Sequence, residues 1–312
     1  MAGADIPKPK VTCILGPTGV GKTAMALELA DRWGGQIVSA DSMQVYRQMD
    51  IGTAKPTPEE RRRIPHHLLD VVNPDEPFDA SRYIGLANGI IADLQRAGRP
   101  VFIVGGTGLY IRALLGGLID GPGADEVLRR ELKQEMDRRG KDHLYLRLRT
   151  RDPDAADRIH PHDGVRIIRA LEVLELTGRS IVAHQQEHHF REAPYDSLRI
   201  GLCLGRERLN DRIERRTDRM IADGFAEEVR KLLDMGYAES IKAMQSLGYR
   251  DMVSFLAGRQ SLEEAVRRIK RDSCRYAKRQ MTWFAADREA VWLDPEDLDA
   301  ASERIGHFLQ AR

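Results

Sequence analysis

Eight consecutive residues, Gly16, Pro17, Thr18, Gly19, Val20, Gly21, Lys22 and Thr23, satisfy G-x-x-x-x-G-K-[ST] at every position. Glycines let backbone N–H groups wrap around an anion, Lys22 adds a point charge, and Thr23 can hold a magnesium ion that bridges phosphate oxygens. A helix opening at Lys22 adds the partial positive charge of its N-terminus. The motif calls for a phosphate-bearing ligand without naming a reaction. A phosphoryl-transfer enzyme built on this loop also carries an apolar strand ending in a magnesium-orienting Asp. The most apolar strand here, residues 100–104, runs instead into Gly105, Gly106 and Thr107, and Asp70 falls inside the expected strand 67–72. The nucleotidase pattern is incomplete, which favours another use of the cradle.

A second constellation faces the first. Ligands of open α/β sheets bind beyond the C-terminal ends of the strands. Asp41 ends the expected strand 36–40 and Thr107 follows the strand at 100–104, so both face the loop. Asp41, Ser42, Met43 and Gln44 offer a carboxylate and an amide within four residues. An Asp can remove a proton from a nucleophile, and a Gln can pair with an adenine edge. Taken alone, Asp41 is as readily a turn-former at a strand end as a general base.

Positioning these groups is the work of alternating strands and helices. The pattern predicts strands at 11–16, 36–40, 67–72 and 100–104 and helices at 22–33 and 80–96, with a Pro-punctuated loop through Gly52, Pro56 and Pro58. From residue 120 to 196 the patterning is helical, with helices around 125–139 and 166–176, before a strand returns at 198–204. The fold class is therefore α/β, a P-loop-type parallel sheet flanked by helices, with an all-helical insertion domain. Residues 1–119 and 197–312 form the core and 120–196 the insertion. After residue 206 the chain is helical, with a long helix over 261–285 whose stripe is Val266, Ile269, Ala277, Met281 and Phe284, and a last strand at 291–293.

Composition narrows the classes further. No apolar run approaches the roughly 20 residues of a membrane span, and residues 1–10 lack a signal-peptide core. A cytoplasmic protein without a membrane partner is expected. Cys13, Cys203 and Cys274 form no C-x-x-C pair and read as buried structural thiols. His160 with His162, and His184 with His188 and His189, lack a third ligand at metal-binding spacing and read as surface polar residues. The net charge of +1 gives no global case for nucleic acid, but residues 267–279 hold seven basic residues against the single acid Asp272. Such a stripe is either a solvated helix face or a phosphate-backbone contact.

The residues together resemble a known family. GPTGVGKT (16–23), SADSMQVYRQMDIGTAKPT (39–57), HHLLDVVNP (66–74), VGGTGLYIRALLGGL (104–118), RIHPHDGVRIIRALEV (158–173), LNDRIERRTDRMIADGFAEEV (209–229), SLGYRD (246–251) and AKRQMTWF (277–284) are similar to blocks of bacterial tRNA dimethylallyltransferase, in the same order. The resemblance runs from about residue 11 to 294 and is far more specific than the phosphate loop alone. It implies transfer of a dimethylallyl group from dimethylallyl diphosphate to N6 of adenosine 37 in the anticodon loop of tRNAs reading codons that begin with U. The loop would hold the diphosphate with Mg2+ on Thr23, although the same loop also carries the label ATP-binding in this family. Asp41 would deprotonate N6, and Gln44 would help to seat the base. Thr107 would hydrogen-bond the bridging oxygen of the leaving diphosphate and Arg216 would clamp it.

The resemblance extends to the RNA. Asp41, Ser42, Met43, Gln44 and Thr107 would meet the target base. Arg129, Val165, Arg166, Ile167, Ile168, Arg169, Ser246, Leu247, Gly248, Tyr249, Arg250, Asp251, Lys278, Arg279 and Gln280 match its tRNA-contacting positions. Ser246-Leu247 departs from a common Cys/Ser-Val at that place, without consequence for the chemistry. A monomer is expected. The target adenine must leave its stack to reach the cradle. The competing classes are a P-loop small-molecule kinase, an RNA-binding adaptor without chemistry and an enzyme prenylating free adenine nucleotides.

Overall fold

The computed structural model describes residues 8–117, 122–188 and 193–311. The chain divides into two compact units, Met1–Leu115 with Pro194–Arg312, and Gly116–Ala193. The expected boundary at 119/120 lies outside the described residues, as does His189.

The first unit begins β1 (Lys10–Leu15), α1 (Lys22–Trp33), β2 (Gln36–Ser39), α2 (Pro58–Arg63), β3 (His66–His67), α3 (Ala80–Arg96), β4 (Val101–Gly105) and α4 (Gly108–Gly116). The helical unit holds α5 (Glu126–Arg139), α6 (Lys141–Arg151), α7 (Pro153–Arg158), α8 (Gly164–Thr177) and α9 (Ile181–His188). The first unit then resumes with β5 (Asp196–Leu202), α10 (Arg206–Ala222), α11 (Phe225–Asp234), α12 (Tyr249–Leu256), α13 (Leu262–Phe284), β6 (Val291–Leu293) and α14 (Leu298–Gln310).

Among the described residues the strands form one sheet, ordered β3-β2-β4-β1-β5-β6 and parallel throughout. Both faces are covered, and strand periodicity sorts the side chains between them. Val11, Cys13 and Leu15 of β1, Val38 of β2 and Val101 and Ile103 of β4 join one core. Ile14, Ile37, Phe102 and Val104 join the other, against Met25, Leu29 and Ala30 of α1 and Ile305 of α14. Each of the Val, Leu, Ile, Phe and Met side chains among them, fully withdrawn from water, contributes roughly 1.5–3 kcal/mol. Adjacent β1 and β4, in register at Cys13 and Ile103, open side by side onto the phosphate loop and onto Gly105-Gly106-Thr107.

Two expectations need correction. The strand over 67–72 shrinks to β3, because Leu68 and Asp70 take left-handed backbone (φ 61° and 55°) that no pleat accommodates. The backbone turns instead against the 44–45 segment, with Asp70 N donating to Gln44 O (3.2 Å) and Val71 N to Val45 O (2.7 Å). The Pro-punctuated loop contains helix α2, nucleated by a capping box in which Thr57 and Glu60 satisfy each other's backbone N–H, with Pro58 at the first helical position.

The helical unit packs around Leu132, Leu144, Leu148, Ile167 and Leu171. Of the thiols, Cys13 is buried, and burial pushes it up to about 12, while Cys203 and Cys274 are half-buried. No helix of the described residues is long and apolar enough to cross a membrane.

Candidate active site

Three strand ends build the site. The loop after β1 carries three glycines at positive φ (Gly16 150°, Gly19 80°, Gly21 111°), the conformations that turn successive N–H groups inward. Helix α10 backs the loop: a Cβ on Gly19 would stand 2.7 Å from Ile213 Cγ1, and Arg212 donates to Val20 O at 3.0 Å. Beside it β4 ends in Gly105, where a Cβ would stand 2.1 Å from Ala40 O. No larger residue allows β4 this close to the segment that carries Asp41.

Asp41 uses one oxygen of its carboxylate in the turn that follows it. Oδ1 accepts from Met43 N (2.8 Å) and Gln44 N (3.3 Å), the turn-forming role. Oδ2 accepts no hydrogen bond among the described residues, and Asp41 lines the cavity. The turn-forming reading thus accounts for one oxygen and leaves the other available to a base role. Thr107 is clamped to the same segment, its N–H donating to Ala40 O (3.1 Å) and its Oγ1 accepting from Ser42 N (3.0 Å). A hydroxyl that already accepts still has its proton to donate.

The cations are arranged for an anion. Lys22 Nζ folds back onto Gly16 O (2.9 Å) and Pro17 O (2.8 Å). Withdrawal from water, opposed by Asp41 and reinforced by the Arg216 guanidinium, lowers its pKa to about 8. Arg216 donates through Nη1 to Thr18 Oγ1 (2.6 Å) and through Nη2 to Thr53 O (3.5 Å), and its buried Nε has no partner. Burial lowers the Arg216 pKa as well. No carboxylate lies in ion-pair contact with either cation among the described residues, a costly state unless a ligand supplies the charge. Thr23 lines the same cavity, its hydroxyl without a hydrogen-bond partner there, so it suits a magnesium ion. The cavity measures about 880 Å³, at the upper end of the 300–1,000 Å³ usual for ligand sites.

Sequence reasoning set Gln280 and Gln44 against the RNA, and passed over Asp50, Lys55 and Arg61, which line the cavity. Gln280, grouped above with Lys278 and Arg279, is buried: Oε1 accepts from Thr18 N (2.8 Å) and Nε2 donates to Gly106 O (2.8 Å). Its spacing from Ala277 and Phe284, three and four residues, placed it on the buried stripe of α13. Lys55, its side chain 1% exposed, bridges Asp50 (2.7 Å) and Asp70 (2.6 Å), and Asp70 also binds Arg61 (2.7 Å) at the cavity wall. The Gln44 amide is engaged with Ser39 Oγ (3.2 Å), Ala54 O (3.2 Å) and Thr53 O (3.4 Å), so it braces the 50–54 turn in this state.

The expected RNA contacts fall into outward and inward groups. Lys278 and Arg279 are exposed without an ion-pair partner among the described residues, and Arg279 lies over the Tyr276 ring. The rest of the α13 stripe is largely paired, with Arg267 and Arg268 on Glu264, Lys270 on Asp218, and Arg271 and Arg275 on Asp272. Arg250 is exposed, Ser246 and Leu247 are half-buried, and Gly248, Tyr249 and Asp251 are buried. In the helical unit Val165 and Arg166 point outward while Ile167 enters its core and Ile168 packs against it. Arg129 and Arg169 converge on Glu172, which is fully buried and also accepts from Asp125 N (2.8 Å). Burial opposes its ionisation, yet these donors hold the Glu172 carboxyl below the usual range.

Comparison with known proteins follows the same lines. Residues 44–287 match a family described as IPP transferase, and residues 9–71 one described as Isopentenyl transferase. The chain is 56% identical over 306 residues to tRNA dimethylallyltransferase 2 of Syntrophus aciditrophicus, covering 98% of each. Its fold is similar to the full-length tRNA isopentenylpyrophosphate transferase of Bacillus halodurans, at 41% identity and a TM-score of 0.73 over 97% of each chain. It is also similar to a eukaryotic dimethylallyltransferase acting on tRNA, at 28% identity and a TM-score of 0.79 over 97% of this chain and 80% of that one. With more than half of its residues shared along nearly the full length of a relative, this chain belongs to the tRNA dimethylallyltransferase family.

Proposed function

We propose that this prenyltransferase, acting on tRNA, takes its dimethylallyl group from dimethylallyl diphosphate. The acceptor is N6 of adenosine 37 in the anticodon loop of tRNAs reading codons that begin with U, and diphosphate is released. The observation that carries this reading is the pairing of two half-buried cations that lack a carboxylate in ion-pair contact among the described residues, Lys22 and Arg216, with an Asp41 that leaves one carboxylate oxygen without a hydrogen bond, all lining a single cavity.

The chemistry follows from those groups. An adenine N6 lone pair is delocalised into the ring, so attack needs its proton removed and the leaving charge met. Asp41 Oδ2 takes the N6 proton as the new bond forms between N6 and C1 of the dimethylallyl group. The C1–O bond breaks, and its electron pair leaves with the diphosphate. The Thr107 hydroxyl hydrogen-bonds the bridging oxygen, while Lys22, Arg216 and the loop N–H groups meet the charge that develops. A magnesium ion held by Thr23 supplies further positive charge to the diphosphate when bound. Lys278 and Arg279, without ion-pair partners, suit the RNA backbone. The enzyme acts in the cytoplasm as a monomer.

The test is transfer of radiolabelled dimethylallyl diphosphate, with magnesium, to an anticodon stem-loop carrying A36-A37-A38. Asp41→Asn keeps an Oδ1 to cap Met43 and Gln44, so it should fold normally and lose about 10²–10⁴-fold in rate. Transfer to free AMP but not to RNA would make the acceptor a nucleotide. ATP turnover with a small alcohol, and no prenyl transfer, would restore the kinase reading.

A further inference from the structure

Glu228 lies on α11, away from the phosphate loop, with 9% of its surface exposed. One carboxylate collects four donors and no cation. Oε2 accepts from Asp50 N (2.8 Å) and Ile51 N (2.7 Å), and Oε1 accepts from Gly52 N (3.1 Å) and Tyr249 Oη (2.7 Å). Three successive amides of one turn are thereby pinned to a single side chain. The turn cannot drift toward the helices that hold it, since a Cβ on Gly52 would stand 2.2 Å from the Phe225 ring.

The pinned turn presents its carbonyls to the reacting groups. Thr53 O accepts from Arg216 Nη2 (3.5 Å) and Gln44 Nε2 (3.4 Å), and Ala54 O accepts from Gln44 Nε2 (3.2 Å). Gln44 N in turn donates to Asp41 Oδ1 (3.3 Å). Resting on the function proposed above, we infer that Glu228 is a positioning residue for the transfer, held by Tyr249 and acting through the 50–54 turn on Arg216 and on the Asp41 loop. It touches no substrate. A carboxylate ringed by four N–H and O–H donors fixes its neighbours more rigidly than an ion pair with one flexible cation does.

Glu228→Gln keeps the volume but puts an NH2 group against amide donors, releasing one side of the turn. Arg216 meets charge that grows toward the transition state, whereas Lys22 and the loop still hold ground-state diphosphate. The loss should therefore fall on kcat. With full-length protein, single-turnover transfer should slow by about 10–100-fold, the scale of an ångström of misplacement, when rates are normalised to diphosphate-binding stoichiometry from calorimetry. Affinity for dimethylallyl diphosphate should stay within about threefold on the same argument. In an Arg216→Gln background the same substitution should cost much less, because its main route of action is gone. Tyr249→Phe keeps the edge-on ring contact with Phe225 and serves if Glu228→Gln does not fold, with a loss in the same direction. A wild-type rate in Glu228→Gln, or an equal factor of loss in both backgrounds, would overturn the inference. Absence of transfer by the wild-type protein would instead overturn the parent function, and this role with it.

Discussion

Diphosphate binding should take up a proton at Lys22. Its ammonium is lowered from an ordinary 10.5 to about 8 by withdrawal from water, with Asp41 opposing and Arg216 adding to the shift. Dimethylallyl diphosphate completes its last ionisation near pH 6, so above about pH 7.5 the ligand itself no longer titrates. Its anionic oxygens would hold Lys22 charged in the complex, returning the pKa to its ordinary range or higher. Lys22 is therefore largely neutral in the free protein and charged in the bound one across roughly pH 9–10. The protonated fraction of the free form is about one in eleven at pH 9 and about one in a hundred at pH 10, so Kd should rise about tenfold and then about a hundredfold. Each tenfold step is about 1.4 kcal/mol, and the sign is weaker binding at higher pH. Isothermal calorimetry without RNA or divalent cations, in two buffers of different ionisation enthalpy, measures both Kd and proton uptake. Uptake should approach one proton per site near pH 9. Lys22→Arg, charged throughout this range, should flatten the profile whatever its absolute affinity. A wild-type Kd that stays constant within about twofold from pH 7 to about 9.5 would refute the linkage argument.

Gly105→Ala drives a Cβ into Ala40 O at 2.1 Å, where only backbone could yield. It should cost roughly 1–3 kcal/mol, seen as a lower urea midpoint, together with slower transfer because Asp41 adjoins the displaced residue. An unchanged midpoint contradicts the packing argument. Glu172→Gln weakens the charge-assisted bonds to Arg129 and Arg169 and should lower local stability by about 1.5–3 kcal/mol. Hydrogen exchange should then quicken along α5 and α8 while the amides of β1 keep their protection, and unchanged exchange in α8 would count against the network.

Much of the fold was legible because its elements follow local rules. Helix α1 begins at Lys22 and ends before Gly34, in left-handed conformation at φ 63°, as a glycine stop signal requires. Strands β1 and β4, covered on both faces, read as continuous apolar runs. The 67–72 segment failed for a non-local reason: its β-branched valines promise a strand, but Asp70 answers Lys55 and Arg61, and no periodicity encodes that pull. Helix α2 was readable, since Thr57-Pro58-Glu59-Glu60 spells a capping box, but the prolines hid it.

At the site, the sequence named Arg216 and Gln280, which reach the phosphate loop from far along the chain, but not Glu228. Thr107 stands out beside Gly105-Gly106, and Asp41 at a strand end. Glu228 shows only as an acid within the apolar stripe of Phe225, Val229 and Leu232, a pattern that does not say which backbone it will cap. Arg129 and Arg169 reveal the converse difficulty. Motif matching marks positions and is silent on whether a guanidinium faces solvent or a buried carboxylate.

The Gln280 bridge bears on how the enzyme comes to exist on a ribosome. The amide that joins Thr18 N to Gly106 O lies 262 residues after the first and 174 after the second. A nascent chain thus carries the entire phosphate motif long before the clamp that joins its two sides has been synthesised. Arg216 and Glu228 also arrive late, after the whole helical unit. A product of premature termination ahead of α13 would display the Gly16–Thr23 signature yet leave Thr18 N and Gly106 O without the amide that joins them.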